Sequence, residues 1–294
     1  MSEGMANLRK NDKQTGGPRS FFSNFLLSKF MHMYARIIVF AIVVMLPCLS
    51  FTPVPAPPSF LSPASTPASF LTGRDKGRRA PGKDNELTAA EKKAGWILLF
   101  DGKTTAGWRA YKNMPATSWE VSDGELHCRQ DTTARHADLV TDGQYTSFEL
   151  QVDWKIGKGA NSGILYHVAE THEHPYETGP EYQLIDDIGY PGKLADWQKS
   201  GADYAMHPPL KLASHPQGQY NHTRLVVNGD HVEHWLNDIK VADFRAWTPE
   251  WQKLRTTGKW KDYPDYGNAR TGLIDLQDHG GGAWFKNIKI RVIN

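Results

Sequence analysis

The sequence of 294 residues has little cysteine and none of several well-known catalytic motifs. Its two cysteines are Cys48 and Cys128, so no intrachain disulfide framework is possible once a leader containing Cys48 is removed. Neither a phosphate loop, a dinucleotide fingerprint, a nucleophile elbow nor an HExxH motif occurs. Nothing near Cys128 in SDGELHCRQ would activate a thiol, and we interpret it as a strand residue.

Excess charge of one sign is also lacking, since the formal net charge is only +2. Residues 1–94 contain 13 basic and 6 acidic side chains, which gives +7, whereas residues 95–294 contain 21 and 26, which gives −5. All ten tryptophans and eleven of the twelve histidines follow position 94. The mildly acidic C-terminal part therefore holds the core and the chemistry, and nucleic acid is not an expected partner.

The longest apolar stretch is too short for a membrane span. It covers the thirteen residues 37–49, interrupted by Pro47, whereas a span needs roughly 20 residues. Basic residues precede it and small residues follow, which is the pattern of a secretory signal peptide. Met31 and Met33 are candidate translation starts. Cys48 is a candidate lipid-attachment site, although Pro47 is a poor fit there, and the alternative is cleavage shortly after Ser50.

The composition divides the chain into three segments. Residues 1–50 form an N-terminal extension with the signal peptide, and residues 51–94 form a linker rich in proline and serine. Residues 95–294 form the folded domain. We expect an exported protein, located in the periplasm or at the cell surface, with a membrane contact only through a lipid on Cys48.

From Trp96 onward, short segments with a period of two alternate with turn residues, which predicts an all-β sandwich of antiparallel sheets. The predicted strands are WILLF (96–100), SWEV (118–121), GELHC (124–128), TSFELQVDWKI (146–156), SGILYHV (162–168), EYQLID (181–186), HTRLVV (222–227), HVEHWLN (231–237), TGLIDLQ (271–277) and FKNIKIRVI (285–293). SDG (122–124) and NGD (228–230) predict hairpin turns. Short helices are expected at 86–95, with Asn85 as N-cap, and at 194–199 and 248–254.

Two of these strands carry unusual polar sets. In LIDLQDHGGG, Asp275, Gln277 and His279 share one face, and three glycines after the histidine permit close approach of a ligand. The pattern indicates either a solvated edge or a histidine at the rim of a cleft that acts as a base near neutral pH.

In EYQLIDD, Glu181 and Gln183 share a face, and Asp186 joins them only if the strand contains a bulge. An acid beside an amide suits recognition of hydroxyl groups, and a solvated face is the alternative.

Other histidines and aromatic residues are less distinctive. His234 in HVEHWLN is interpreted as a packed core residue. His172 and His174 lie in an acidic loop that suits a polar surface better than a metal site, because the spacing is not that of known ligand sets. Among the aromatic residues near strand ends, Trp108 and Tyr166 are predicted to contact a sugar ring.

Six segments together resemble the 3-keto-disaccharide hydrolase domain family over residues 95–294. They are WILLFDGKTTAGW (96–108), SWEVSDGEL (118–126), NSGILYHV (161–168), GPEYQLIDD (179–187), NHTRLVVNGDHVEHWLN (221–237) and TGLIDLQDHGGGAWFKNIKIR (271–291). The resemblance implies a concanavalin A-like β-jelly-roll, usually exported, with its site on the concave face. It also implies a glycoside or oligosaccharide substrate that is already oxidised to a ketone at C3.

The resemblance assigns roles to the polar residues of two segments. His279 is the expected base, and Glu181 or Asp186 is the acid or a metal ligand. The hydroxyl-binding residues are Gln183 and Gln277. In addition, Lys103 in FDGKTT is predicted to stabilise the enolate that forms when the base removes the C2 proton beside the ketone. No cofactor is implied with certainty, and a divalent metal ion is left open.

Two other functions compete with this one. A non-catalytic carbohydrate-binding module shares the fold, and fold alone does not determine function. A retaining β-glucanase of the laminarinase type shows Glu-x-Asp-x-x-Glu on one bulged strand. Here Gln183 replaces the central acid and Asp186 shortens the last one, which disfavours that activity.

Overall fold

The computed structural model describes residues 83–131 and 133–293, and the predicted signal peptide and residues 51–82 of the predicted linker lie outside them. The described residues form β1 Trp96–Leu98, β2 Trp108–Ala110, β3 Trp119–Ser122, β4 Glu125–Cys128, β5 Leu139–Tyr145, β6 Phe148–Ile156, β7 Asn161–Val168, β8 Glu181–Ile185, β9 Asn221–Asn228, β10 His231–Leu236, β11 Ile239–Arg245, β12 Gly272–Leu276 and β13 Ala283–Val292, with helices α1 Ala89–Lys93 and α2 Pro249–Thr257.

The strands form two antiparallel sheets. The eight-stranded sheet has the order β11-β10-β9-β6-β13-β4-β3, and β1 also pairs with β13. The five-stranded sheet has the order β2-β5-β12-β7-β8. The predicted all-β jelly-roll sandwich is therefore confirmed. All ten predicted strands are present, whereas β2, β5 and β11 were not predicted.

Alternation along β6 shows why the sheets pack face to face. Phe148, Leu150, Val152 and Trp154 are buried, and the polar residues between them remain partly exposed, as predicted. The Trp154 indole donates a hydrogen bond of 2.9 Å to Thr223 Oγ1, which satisfies its buried N–H. The apolar set belongs to the large core shared by both sheets, and its burial is the main favourable contribution to folding.

Both predicted hairpin turns connect neighbouring strands. Asp123 and Gly124 have φ of 52° and 77° between β3 and β4, and Gly229 has φ of 60° between β9 and β10. These left-handed conformations explain the choice of Asp and Gly in the two turns.

The helices are short and lie outside the sheets. Helix α1 is capped by Thr88, whose hydroxyl accepts from the Glu91 N–H, so the prediction of Asn85 as N-cap is wrong. Asn85 instead exchanges two hydrogen bonds with Asn287 on β13, at 2.7 and 2.8 Å. Helix α2 confirms the prediction at 248–254, whereas 194–199 contains only a short 3-10 helix, Asp196–Gln198. Within the described part of the chain, no helix is long and apolar enough to cross a membrane.

Candidate active site

A cavity of about 460 Å³ lies on the five-stranded sheet, on the face turned away from the large core. Successive side chains on a strand point to opposite faces of this sheet, one toward the core and one toward the cavity. On β8, Tyr182 and Leu184 enter the core between the sheets, and Glu181 on the opposite face lines the cavity. Gln277, just after β12, also lines the cavity, while Leu276 belongs to the core. The site therefore occupies the outer face of the smaller sheet.

Strand register places the polar side chains in two adjacent rows. Asp275 on β12 is opposite Leu165 on β7, which in turn is opposite Glu181 on β8. In the next row, Gly163 is opposite Gln183, and Gly163 accepts the backbone N–H of Gln277 at 3.0 Å. Polar groups from three neighbouring strands thus converge around one glycine.

Gly163 makes room for the acid. A Cβ at this position would lie 2.6 Å from Glu181 Oε1 and 2.9 Å from its Cγ, which is closer than real Cβ contacts allow. The Glu181 side chain therefore lies across β7 at the point where no side chain rises.

Glu181 is an acid in an unusual environment. Its residue surface is only 4% exposed, and burial raises the pKa of its carboxyl to about 8. The positive charge of Lys259 opposes this shift, while the charges of Asp138 and Asp203 add to it. Glu181 is consequently protonated at neutral pH and can donate a proton to a ligand in the cavity.

Two further carboxyls share the region, and the sequence did not single out Asp138. Asp138 lines the cavity, and burial raises its pKa to about 7, although its carboxylate accepts the backbone N–H of Asp278 at 2.7 Å. Asp275 is fully buried, and neither of its carboxyl oxygens has a hydrogen-bond partner among the described residues. Burial, followed by the charges of Asp138 and Glu181, raises the Asp275 pKa well above its ordinary value.

His279 lies at the exposed edge of the cavity, as the cleft-rim interpretation of LIDLQDHGGG predicts. The alternative of a solvated strand is wrong for the residues before it, because β12 is central in its sheet and buried at every position. After His279, Gly281 packs so closely on Ala160 that a Cβ would lie 2.7 Å from the alanine Cβ. The glycines thus allow the loop to approach β7.

The two glutamines differ in position. Gln277 lines the cavity, and its Oε1 has no hydrogen-bond partner within the described chain. Gln183 is buried, and its Oε1 also lacks a partner there, but the side chain does not line the cavity. Only Gln277 is therefore in position to bind a hydroxyl group directly.

Asp186 has a structural position, contrary to the prediction that it is catalytic. The pairing of β7 with β8 is regular from Glu181 to Ile185, so no bulge brings Asp186 onto the Glu181 face. Its carboxylate accepts backbone N–H groups from Gly159 at 2.8 Å and from Gly189 at 2.9 Å. Burial opposes ionisation, but these hydrogen bonds outweigh it and lower the pKa of Asp186. It fixes two loops.

Three predicted ligand contacts also lie away from the cavity. Lys103 is exposed in a loop after β1, and Trp108 is buried with its indole N–H donating to the Leu99 carbonyl at 2.6 Å. Tyr166 is 3% exposed and belongs to the core between the sheets. The prediction for Tyr166 is wrong because successive side chains on β7 point to opposite faces of the sheet, and Tyr166 points into the core.

The cavity wall comes from segments that follow no strand pattern. Tyr176 stacks on His174 with ring centroids 5.1 Å apart, and the edge of Tyr263 meets Tyr176 at 5.9 Å. Lys259 begins a 3-10 helix after α2, and its Nζ lies 4.1 Å from the centre of the Tyr204 ring. Loop residues of this kind give no periodic signal, so the sequence could not indicate this wall.

Metal-ligand geometry occurs elsewhere in the described residues. The only cluster with suitable spacing there is His231, Glu233 and Asp243 on β10 and β11, and Lys240 already pairs with both acids at 2.6 and 2.7 Å. His172 pairs with Asp265 at 2.7 Å, which agrees with a polar loop. The cavity carboxyls do not meet at metal-ligand spacing.

Comparisons with known proteins agree with this architecture. Residues 95–291 match the family model described as 3-keto-alpha-glucoside-1,2-lyase-like domain. A Bacteroides thetaiotaomicron protein named 3-keto-disaccharide hydrolase is 31% identical over 229 residues, which cover 68% of this chain and 79% of that protein.

Two crystal structures from Parabacteroides distasonis, both of proteins assigned to the glycosyl hydrolases, are also similar. One is 42% identical with a TM-score of 0.68 and covers 72% of this chain and 100% of its own. The other is 25% identical with a TM-score of 0.52 and covers 67% and 99%. The match over residues 95–291 and the identity to the Bacteroides protein show that the chain belongs to the 3-keto-alpha-glucoside-1,2-lyase-like domain family.

Proposed function

We propose that this protein cleaves glycosides whose sugar is oxidised to a ketone at C3, by elimination followed by hydration. The observation that carries the proposal is the pairing of two groups in one cavity. Glu181 is a buried carboxyl with a pKa of about 8, and His279 is an exposed imidazole at the edge. The carboxyl can donate a proton at neutral pH, and an imidazole nitrogen is a suitable proton acceptor.

The reaction uses the acidity that the ketone gives to the C2 hydrogen. His279 removes this proton, and the electron pair of the C2–H bond forms an enolate with the C3 oxygen. The enolate then expels the C1 substituent, and Glu181 donates a proton to the departing oxygen. A double bond between C1 and C2, conjugated with the ketone, remains.

Hydration reverses the same proton transfers. Glu181, now a carboxylate, accepts a proton from water as the water oxygen attacks C1, and the resulting enolate takes a proton at C2 from His279. The products are the free 3-keto sugar and the released alcohol. Two groups close the cycle, so the paired carboxylates of an ordinary glycosidase are not required.

Lys259 replaces Lys103 as the proposed partner of the enolate oxygen. It lines the cavity, and its positive charge partly opposes the upward shift of the Glu181 pKa. A fixed cation near developing negative charge is a common source of transition-state stabilisation. Gln277 and Asn161 line the floor and have free amide oxygens within the described chain, which suits hydroxyl groups of the sugar.

The test is release of the alcohol from a methyl 3-keto-glucoside, measured for both anomers alongside the unoxidised methyl glucoside. We expect cleavage of the keto sugar only, with His279→Ala and Glu181→Gln each reducing kcat by about 10²–10⁴-fold. His231→Ala and Glu233→Gln, on the other sheet, are the controls and should retain wild-type rates. Wild-type rates for both cavity variants would refute the residue assignment. Binding of intact glycans without turnover would instead indicate a carbohydrate-binding module.

A parallel assay with EDTA tests whether turnover requires a divalent metal ion. We also propose, from the sequence pattern around residues 37–49, that the protein is exported. Fractionation of cells that express the full chain, with and without Cys48→Ala, tests export and lipid attachment together. Recovery of the protein in the cytoplasmic fraction alone would contradict export.

A further inference from the structure

Asp278 connects the proposed base to a second carboxyl in the cavity. It precedes His279 in the chain and is one of the residues that line the cavity, and its side chain is fully buried. Its backbone N–H donates to Asp138 Oδ1 at 2.7 Å. Its own Oδ1 accepts the backbone N–H of Gly280 at 3.0 Å, which closes a turn around His279.

The Asp278 carboxylate is itself held from two sides. Ser118, just before β3, donates its hydroxyl to Oδ2 at 2.5 Å, and His136 Nδ1 lies 2.8 Å from the same oxygen. The other ring nitrogen of His136 lies 2.8 Å from the Asp131 carbonyl oxygen. Since both ring nitrogens face acceptors, the imidazole is best satisfied when both carry a proton. Burial opposes this charge, yet the hydrogen bonds to Asp278 and Asp131 outweigh it and raise the pKa of His136.

We propose that Asp278 is a positioning residue for the active site, locked by Ser118 and His136 so that it fixes both the His279 turn and the Asp138 carboxylate. The proposal rests on the proposed function, because it assigns an orienting role toward the base of that reaction. A charge-assisted hydrogen bond between a buried carboxylate and an imidazolium holds geometry well. The arrangement gives a rigid support to a histidine that has no hydrogen-bond partner of its own among the described residues.

Titratable groups from several elements surround Asp278 and Asp138. The titratable groups that face Asp278 and Asp138 are His136, Asp275, Glu181, Tyr111 and the Cys128 thiol, which hydrogen bonds to Asp278. Burial and then the Asp278 charge raise the pKa of Cys128, so the thiol remains a neutral donor. Among these groups, His136 is the cation that pairs directly with the Asp278 carboxylate.

The experiment compares Asp278→Asn with Asp243→Asn, a matched control. Asp243 pairs with His231 at 2.8 Å, but on the eight-stranded sheet and away from the cavity. The kinetic measurement gives kcat and KM on a methyl 3-keto-glucoside. NMR gives the pKa of His136 and the ring signals of His279 by titration, and the protection of the Gly280 amide by hydrogen exchange.

For Asp278→Asn we expect kcat to fall by about 10–100-fold with KM within about twofold, because misplacement of a reacting group lowers the chemical step. The His136 pKa should fall, and the His279 ring signals and the Gly280 amide protection should change. Asp243→Asn should alter none of these. Ser118→Ala, which removes one hydrogen bond, should give a smaller effect of the same kind and serves if Asp278→Asn does not fold.

The two proposals fail separately. Absence of wild-type turnover would refute the proposed function, while the NMR measurements would still decide whether Asp278 orders His136 and the His279 turn. Wild-type kcat in Asp278→Asn, or an unchanged His136 pKa with unchanged His279 signals, would overturn the positioning role.

Discussion

The polar residues of the two sheets differ in whether they have ion-pair or hydrogen-bond partners. On the outer face of the eight-stranded sheet, charges are paired: Glu233 lies 2.6 Å from Lys240, and Glu149 lies 2.5 Å from Arg291. On the five-stranded sheet, Asp275 and Gln277 have buried oxygens without any partner in the described chain. Paired groups keep a solvated face ordered, whereas unpaired buried acceptors cost stability. Of these two residues, Gln277 lines the cavity, where a ligand can supply the donor.

The pKa directions follow the same division. On the eight-stranded sheet, burial opposes ionisation of Glu233, but hydrogen bonds to Lys240 and Trp235 outweigh it and lower its pKa. The Lys240 hydrogen bond likewise lowers the pKa of Asp243. On the five-stranded sheet, burial raises the pKa of Glu181 to about 8. Strong upward shifts in a cavity are typical of groups that transfer protons.

The largest expected difference between the sheets is in activity. Lys259→Met should reduce kcat on a methyl 3-keto-glucoside by about 10²–10³-fold, because it removes the cation proposed to face the enolate oxygen. Lys240→Met removes a comparable cation from the eight-stranded sheet and should leave kcat unchanged. Equal effects of the two substitutions would erase the functional distinction between the sheets.

The second difference is in the pH dependence of stability. The folded-state pKa of Glu181, about 8, exceeds its ordinary value of 4.5, so the folded protein binds this proton more tightly than the unfolded chain. The resulting stability is complete below about pH 4.5 and is lost as the pH rises toward 8, by about 1.4 kcal/mol per pH unit for one such group.

Urea unfolding of the wild type and Glu181→Gln between pH 5 and 8 measures this slope. The variant should lose less stability over that interval, while Glu233→Gln should not flatten the curve. Because Asp138 and Asp275 are also shifted upward, a residual slope is expected in Glu181→Gln. Identical slopes in the wild type and Glu181→Gln would mean that Glu181 ionises normally.

A third prediction concerns Asp275. Asp275→Asn removes an ionisable group that has no hydrogen-bond partner in the described part of the chain, so at pH 8 it should raise the free energy of unfolding by about 1–3 kcal/mol. Denaturant unfolding at pH 8 and pH 5 checks this, and the gain should shrink at pH 5. A loss of stability at both values would show that the carboxyl is satisfied in solution.

The smallest effect is expected on the outer face of the eight-stranded sheet. Arg245 pairs with Asp230 at 2.6 Å, but both side chains are largely exposed. Arg245→Gln should change the free energy of unfolding by less than about 1 kcal/mol, since exposed ion pairs contribute little. A thermal melt in low salt measures it, and a loss well above that value would show that this face is more than a solvated surface.

The contrast between the sheets also explains what the sequence could predict. Strict alternation on β6 and the two glycine-containing hairpin turns identified much of the eight-stranded sheet. Strand β5, LVTDGQY, was missed because Asp and Gly within it resemble a turn, and with it Asp138, the residue that immediately precedes the strand, was missed. The fold was therefore easier to predict than the site.

Within the site, parity was sufficient for residues on strands and insufficient for those on loops. Glu181, Gln277 and His279 line the cavity, as the sequence predicted for a cleft. Asp186 does not, because β8 has no bulge that would bring it onto the Glu181 face, and its carboxylate instead accepts the Gly159 N–H. Lys259 comes from a 3-10 helix more than seventy residues after β8, and only the tertiary fold brings it to the cavity. Loop-derived groups have no sequence period, so their place could not be predicted.

Hydrolysis of a methyl 3-keto-glucoside in deuterated water tests the elimination route most directly. Because His279 is exposed, it exchanges the proton taken from C2 with the solvent before it protonates the enolate. The account therefore predicts that the 3-keto-glucose released at initial rate carries deuterium at C2, while free 3-keto-glucose kept in the same buffer for the same time does not. It also predicts that the unoxidised methyl glucoside stays intact. Release of product with protium retained at C2, or cleavage of the unoxidised glucoside at a comparable rate, would contradict proton abstraction at C2.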